Sequence, residues 1–128
     1  MLKRVFSDTT TDVLTKALGG YAARQKAVAN NIANVETPGY KRQRVNFEAQ
    51  LREAVKNRTP AEARKAISEL EIAPQIDPSA EAGPDGNSVN IDLEGSELAK
   101  AGMSYQLATT LMGLKLSMLK QAITEGRR

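Results

Sequence analysis

The chain has no cysteine, no histidine and no tryptophan, and only two Phe and three Tyr among its 128 residues. Without cysteine there is no disulfide framework, no thiolate zinc site and no cysteine nucleophile. Without histidine, the commonest general base and the commonest metal ligand are both gone. The apolar content of 41% is carried mostly by Ala, Leu and Val, which suits helix packing better than a sheet sandwich. No apolar run approaches the roughly 18 residues of a membrane span. Residues 1–6 hold Lys3 and Arg4, but residues 7–12 are polar, so no cleavable secretory signal is expected. The residues alone suggest a soluble, cytoplasmic chain.

Catalytic sets are missing as well. The nine glycines form neither a dinucleotide fingerprint nor a P-loop. Asp92 with Glu94, and Glu69 with Glu71, read as charges at helix ends rather than as paired acids. Ser7, Thr9, Thr10 and Thr11 have no base partner. Asp85-Gly86-Asn87 looks faintly like a calcium loop, but the later ligand positions are apolar or missing, and a turn is expected. The expectation is a protein that is not an enzyme and has no cofactor and no metal. The net charge of +3 and pI near 9.3 are a mild excess, read as a solvated surface; a nucleic-acid binder needs a basic stripe.

What is present is helical. Leu14, Leu18, Tyr21, Gln25, Val28, Ile32 and Val35 recur at spacings of four and three, which predicts a helix from residue 7 or 8 to residue 34. Ala17, Ala22, Ala23, Ala27, Ala29 and Ala33 leave its other faces small, and Gly19-Gly20 predicts a bend or a close contact. Phe47, Leu51 and Val55 predict a short amphipathic helix over 46–56. Thr59-Pro60-Ala61-Glu62 is a capping box that starts another, with Ala63, Ala66, Ile67 and Leu70 inward. Residues 72–88 hold three prolines and two glycines and read as a turn-rich connector, the most mobile part of the isolated chain, with one extended piece over 71–76. Asp77 within it is expected to tolerate alanine. Asp92 is expected to cap a final helix running to about residue 124. On a wheel, Met103, Leu107, Leu111, Leu114 and Met118 line one side of that helix, and Tyr105, Ala108, Met112, Leu119, Ala122 and Ile123 the other. Together they span an arc of about 220°, interrupted by Lys115, where one packed face needs little more than 100°. Two paired helices leave half of that arc without a partner, which in a soluble monomer points to binding.

The end of the first helix carries the run Ala29-Asn30-Asn31-Ile32-Ala33-Asn34-Val35-Glu36-Thr37-Pro38-Gly39-Tyr40-Lys41-Arg42. Thr37-Pro38-Gly39-Tyr40 fits a type II turn, with Pro38 pre-setting φ and Gly39 taking φ > 0. The run resembles the N-terminal signature of bacterial flagellar axial proteins, the family that includes the rod proteins. Arg24-Gln25 upstream, Phe47, Asp85-Gly86-Asn87-Ser88-Val89 and Tyr105-Gln106 add to the likeness, which covers both ends of the chain and little of 57–84. Asn90 stands where that family carries an acidic residue.

The resemblance implies a structural subunit of the proximal rod of the flagellar basal body, required for motility. It implies export through the flagellar type III channel without a cleaved signal peptide, and a place in the periplasmic rod. Its partners would be copies of itself, other rod proteins, the basal-body protein FliE and the export gate and ring base. The fold expected is mainly α: long N- and C-terminal helices packed as an antiparallel coiled-coil-like pair, with short helices and an irregular connector between. The organisation expected is 1–42, helix and turn; 43–91, middle segment; and 92–128, C-terminal helix forming one unit with 1–42. The expected assembly interface is Leu14, Leu18, Tyr21, Val28, Asn30, Asn31, Ile32, Asn34, Thr37, Pro38, Gly39 and Tyr40 with Tyr105, Leu107, Leu111, Met112, Leu114, Met118 and Leu119. The asparagines are expected to bond to adjacent subunits, with in-chain capping of the helix end as the competing reading. Because each helix lacks its assembled neighbours, the purified chain is expected to have weak tertiary order. Two other classes remain open, a helical adaptor or chaperone holding one client helix, and a small basic nucleic-acid binder.

Overall fold

The computed structural model describes residues 8–127; the expected start at Ser7 lies outside them. Helix α1 (Thr9–Ala33) begins where the extended Asp8 accepts the Thr10 amide on its carboxylate at 3.2 Å. This is the ordinary N-cap chemistry of a short acceptor side chain. The helix stops at Asn34, and residues 37–40 turn as the sequence predicts. Tyr40 N–H donates to the Thr37 carbonyl at 3.2 Å, and Gly39 has φ +74°. Strand β1 (Gln43–Arg44) follows, then helix α2 (Glu48–Val55) and helix α3 (Pro60–Glu69). Asn57 takes φ +54° between these two helices, a conformation asparagine tolerates better than most residues. Both halves of the capping box form, Thr59 Oγ1 accepting the Glu62 amide and Glu62 Oε2 accepting the Thr59 amide. Strand β2 (Gln75–Ile76) lies inside the extended piece expected over 71–76. It pairs antiparallel with β1, Gln43 opposite Ile76 and Arg44 opposite Gln75.

Helix α4 (Ile91–Glu125) corrects one expectation. Asn90, not Asp92, is the cap; its side-chain oxygen accepts the amides of Asp92 and Leu93 at 3.0 and 3.2 Å. Asp92 sits in the first turn, where its charge faces the positive end of the helix dipole.

Helix α1 is the spine. On one side it packs against the middle segment, where Ala27, Val45, Phe47, Leu51, Ala54 and Ile67 form the buried cluster, with Val13, Ala17 and Tyr21 against it. The doublet Gly19-Gly20 divides into two roles here. The Phe47 ring lies where a Gly20 Cβ would be, whereas Gly19 faces open space. On another side α1 runs antiparallel to α4: Asp8 pairs with Lys115, Gln25 reaches Gly102, and Asn31 reaches Glu94. The stripe of α4 most withdrawn from solvent is Glu94, Ala101 and Ala108, with Ser104, Met112, Lys115 and Leu119 half-buried. Small side chains let two helices approach closely, and the leucines of α4 turn the other way. The architecture is the expected one, a long antiparallel helix pair with short helices and a connector between them.

That connector is fastened at several points. Asp77 N–H donates to the Arg42 carbonyl, Gly39 N–H to Asp85, and Ser88 N–H to Tyr40, at 2.9 to 3.0 Å. Residues 83–87 form a closed turn with Gly86 at φ +78°.

Candidate assembly interface and the clamp beneath it

The Asn-rich run builds a clamp before it offers a surface. Asn31 points inward and is 0% exposed. Its Nδ2 donates to the Gln43 carbonyl at 2.7 Å and to Glu94 Oε2 at 3.0 Å. Its Oδ1 accepts the Gln43 amide at 2.9 Å and the Tyr40 hydroxyl at 3.3 Å. The carboxamide therefore takes both backbone groups of Gln43 that face away from β2, as a neighbouring strand would. Sequence reasoning expected Asn31 to bond across to another subunit, but every polar atom of its side chain is engaged within its own chain. Asn34 caps the same helix end: its Nδ2 donates to the Asn30 carbonyl at 2.8 Å and its Oδ1 accepts the Thr37 hydroxyl at 3.2 Å. Asn87 completes the corner, its Nδ2 within 2.8 to 3.1 Å of the carbonyls of Asn34, Val35 and Thr37. Those carbonyls follow the last turn of α1 and have no helical partner.

Arg42 is the centre of the clamp. Its guanidinium Nε donates to Glu94, its Nη1 to Asp77 at 2.5 Å, and its backbone amide to the Ser88 hydroxyl at 2.8 Å. All four residues are buried. Burial opposes the charge on Arg42, but the carboxylates of Glu94 and Asp77 outweigh it and hold its pKa above the ordinary arginine value. The Ser79 hydroxyl holds the Asp77 carboxyl below its usual range against the effect of burial, helped by the Ser79 amide, Arg42 and Arg44. Asp77 is thus no tolerant connector position. Removing Asp77 leaves Arg42 paired with Glu94 but strips its buried Nη1 of an acceptor, a loss of about 1–3 kcal/mol. One sequence carried no sign of this, because the pair spans 35 residues. Glu94, by sequence a charge at a helix end, is 0% exposed.

Arg24 plays a similar part on the other side of α1. It donates to the Val45 carbonyl at 2.7 Å, pairs with Glu48 at 2.6 Å, and lies 5.1 Å from the Phe47 ring centre. The Tyr21 ring meets Phe47 edge-on at 5.1 Å. Tyr21 therefore belongs in part to the core, as does the fully buried Val28. Leu14, Leu18, Ile32 and Tyr40 are half-buried, while Asn30, Thr37, Pro38 and Gly39 are exposed.

The open surface is on α4. Leu107, Leu111, Leu114 and Met118 are 61%, 45%, 57% and 58% exposed, with Tyr105 and Met103 beside them. Residues 101–114 contain no charged side chain, so about 21 Å of helix presents oil without a charge among it. Met112 and Leu119 lie half-buried, and Lys115 reaches Asp8 across the helix pair. No described helix is long and apolar enough to cross a membrane.

The comparisons agree with this arrangement. The model of the family described as "Flagella basal body rod protein" matches residues 12–41, the body of α1 and the turn. Over 96% of its length the chain is 33% identical to the flagellar basal body rod protein FlgB of Bacillus subtilis, and it covers 98% of that protein. It is 31% identical to the FlgB of Borrelia hermsii, over 81% of this chain and 87% of that one. It is 29% identical to the FlgB of Salmonella typhimurium, over 87% and 90%. With a third of positions identical along nearly the whole of two chains, and with a helix pair whose outer face is apolar, this chain belongs to the flagellar basal body rod protein FlgB family.

Proposed function

We propose that the chain is a structural subunit of the proximal flagellar rod and that it assembles through the outer face of α4. Tyr105, Leu107, Leu111, Leu114 and Met118 pack on neighbouring rod subunits, and Asn30 with the Thr37-Pro38-Gly39 turn adds contacts at one end of the helix pair. Its neighbours are further copies, other rod proteins, FliE and the export gate at the ring base, which it reaches through flagellar export.

The observation that carries this reading is the charge-free face of α4, with four large apolar side chains about half exposed. Covering each remaining half contributes roughly 1 kcal/mol, so a single neighbour on this face gains several kcal/mol that a monomer forgoes. The likeness to named rod proteins supplies the identity of the assembly. The test is Leu111→Asp. Leu111 points outward, so the isolated chain keeps its helicity by circular dichroism while cells carrying the variant lose rods and swimming. Full motility of that variant would remove α4 as the assembly surface.

A further inference from the structure

The charge of this chain is segregated along its length. Residues 66–99 carry eight Asp and Glu and no Lys or Arg, whereas residues 1–65 carry thirteen Lys and Arg against six acids. Asp77 and Glu94 are neutralised inside the fold by Arg42. Glu81, Asp85 and Asp92 are exposed, and among the described residues no ion pair engages them. The bonds from Asp85 to Gly39 and from Asn87 to residues 34–37 hold this acidic stretch at the C-terminal end of α1.

Further along the spine, α1 and α3 enclose an open groove of about 890 Å3, lined among others by Lys16, Gly19, Arg64, Lys65, Ile67 and Ile72. A side chain at Gly19 would meet nothing within 4 Å, so the α1 backbone is accessible there. Arg64 is paired with Asp12 at 3.0 Å, Lys65 reaches Glu69 only at 4.0 Å, and no described carboxylate pairs with Lys16. Lys16 lies eighteen positions before Asn34 on α1, about 27 Å along the axis. Counted in full, the groove lining holds Lys16, Arg64 and Lys65 against Asp12, and the far end holds Glu81, Asp85 and Asp92 against Lys41, whose Nζ donates to the Gly86 carbonyl at 2.8 Å, so a net acidic end lies well separated from a net cationic groove with an apolar floor. The acidic stretch around Ser79, Ala80, Glu81, Ala82 and Gly83 has mostly small side chains, which suits a slender segment laid into an open groove.

We infer that the groove between α1 and α3 takes the acidic connector of a second copy of this chain. The two surfaces are different patches of one molecule, so the contact is head-to-tail and repeats without closing, as a rod requires. It rests on the self-assembly reading above and adds to it an electrostatic contact that sets which end of one copy meets the next.

The absence of native cysteine allows a direct test in assembled basal bodies. Chains carrying Lys65→Cys and chains carrying Glu81→Cys are co-expressed and oxidised. A disulfide-linked dimer is expected only when both are present, and a reciprocal charge exchange supplies the second arm. Lys16→Glu with Lys65→Glu lowers incorporation into basal bodies roughly tenfold, as like charges are brought together, and so does Glu81→Lys with Asp92→Lys; combining the four restores it. Normal rods without the mixed dimer would overturn the inference, as would a four-fold variant no better than its parents. Leu111→Asp separates the two levels. If rods form in its presence, the α4 reading fails; if they are lost while charge reversal at the groove is harmless, only the groove contact fails.

Discussion

Gly20→Ala and Gly19→Ala are the same change at neighbouring positions of one helix, and the structure gives them opposite signs. Each gains up to about 1 kcal/mol in helix propensity, because glycine gives up more backbone freedom on folding. At Gly19 nothing offsets the gain, since the new methyl would meet no atom within 4 Å. At Gly20 the methyl would lie 2.5 to 2.6 Å from three carbons of the Phe47 ring. That ring is 1% exposed, with Tyr21 edge-on to it and Arg24 over it, both at 5.1 Å, so it has nowhere to retreat without moving the core cluster. Overfilling a packed core costs about 1–3 kcal/mol, which leaves Gly20→Ala a net loss of up to about 2 kcal/mol. Urea unfolding of the purified chain, followed at 222 nm, reads both values. Phe47→Leu relieves the overlap, so in that background Gly20→Ala becomes neutral or stabilising. If Gly20→Ala matches Gly19→Ala in sign, or if its cost survives Phe47→Leu, the close approach of Phe47 is not what the glycine is for.

Asp77→Ala is expected to destabilise the chain by about 1–3 kcal/mol, because the buried Nη1 of Arg42 loses its acceptor while Glu94 still balances the charge, and Asp77→Asn by less; equal urea midpoints for wild type and Asp77→Ala would refute the clamp. Gly39→Val forces a β-branched residue to φ +74°, and loss of motility is the expected readout. Acid should loosen the same corner of the molecule. The folded pKa of Asp77 lies below its ordinary value of 3.8, so its contribution is complete above that value and disappears as pH falls through the lower folded one. A stability profile flat from pH 7 to 5 that falls below about pH 4, with the fall reduced in Asp77→Asn, is the expected result.

Local rules carried much of the fold. The stop of α1, the type II turn, the Thr59 capping box and the inward Ala63 and Ile67 each depend on residues within a few positions of one another, and each is where the sequence puts it. Long-range choices were not legible. Periodicity counts apolar side chains on α4 but does not say which of them meets α1. The seam went to Ala101 and Ala108 because small residues let the helices approach, and because Lys115 and Glu94 have partners, Asp8 and Asn31, only on that side. Asp77 in a segment of prolines and glycines looks solvated until Arg42 is placed beside it. Asn87, part of the run Asp85-Gly86-Asn87-Ser88-Val89, gains a role only when three carbonyls from beyond the end of α1 converge on its amide.

The asparagines illustrate how one chemistry serves two readings. A polar amide near a helix end can fix the register of a neighbouring subunit or satisfy the backbone where its own helix stops. Here the second use comes first. Asn31 stands in for a strand beside Gln43, Asn34 closes the last turn, and together with Glu94 they tie the stretch matched by the family model, residues 12–41, to the start of α4. An amide whose four hydrogen-bonding positions are filled at 0% exposure has nothing left to offer a partner. On the proposed reading, the work of joining subunits falls to side chains that the monomer leaves open, the leucines of α4 for attraction and the separated charges for direction. Contacts made that way would be mostly apolar surface, whose loss on dissociation is shared along the whole helix rather than held at one bond.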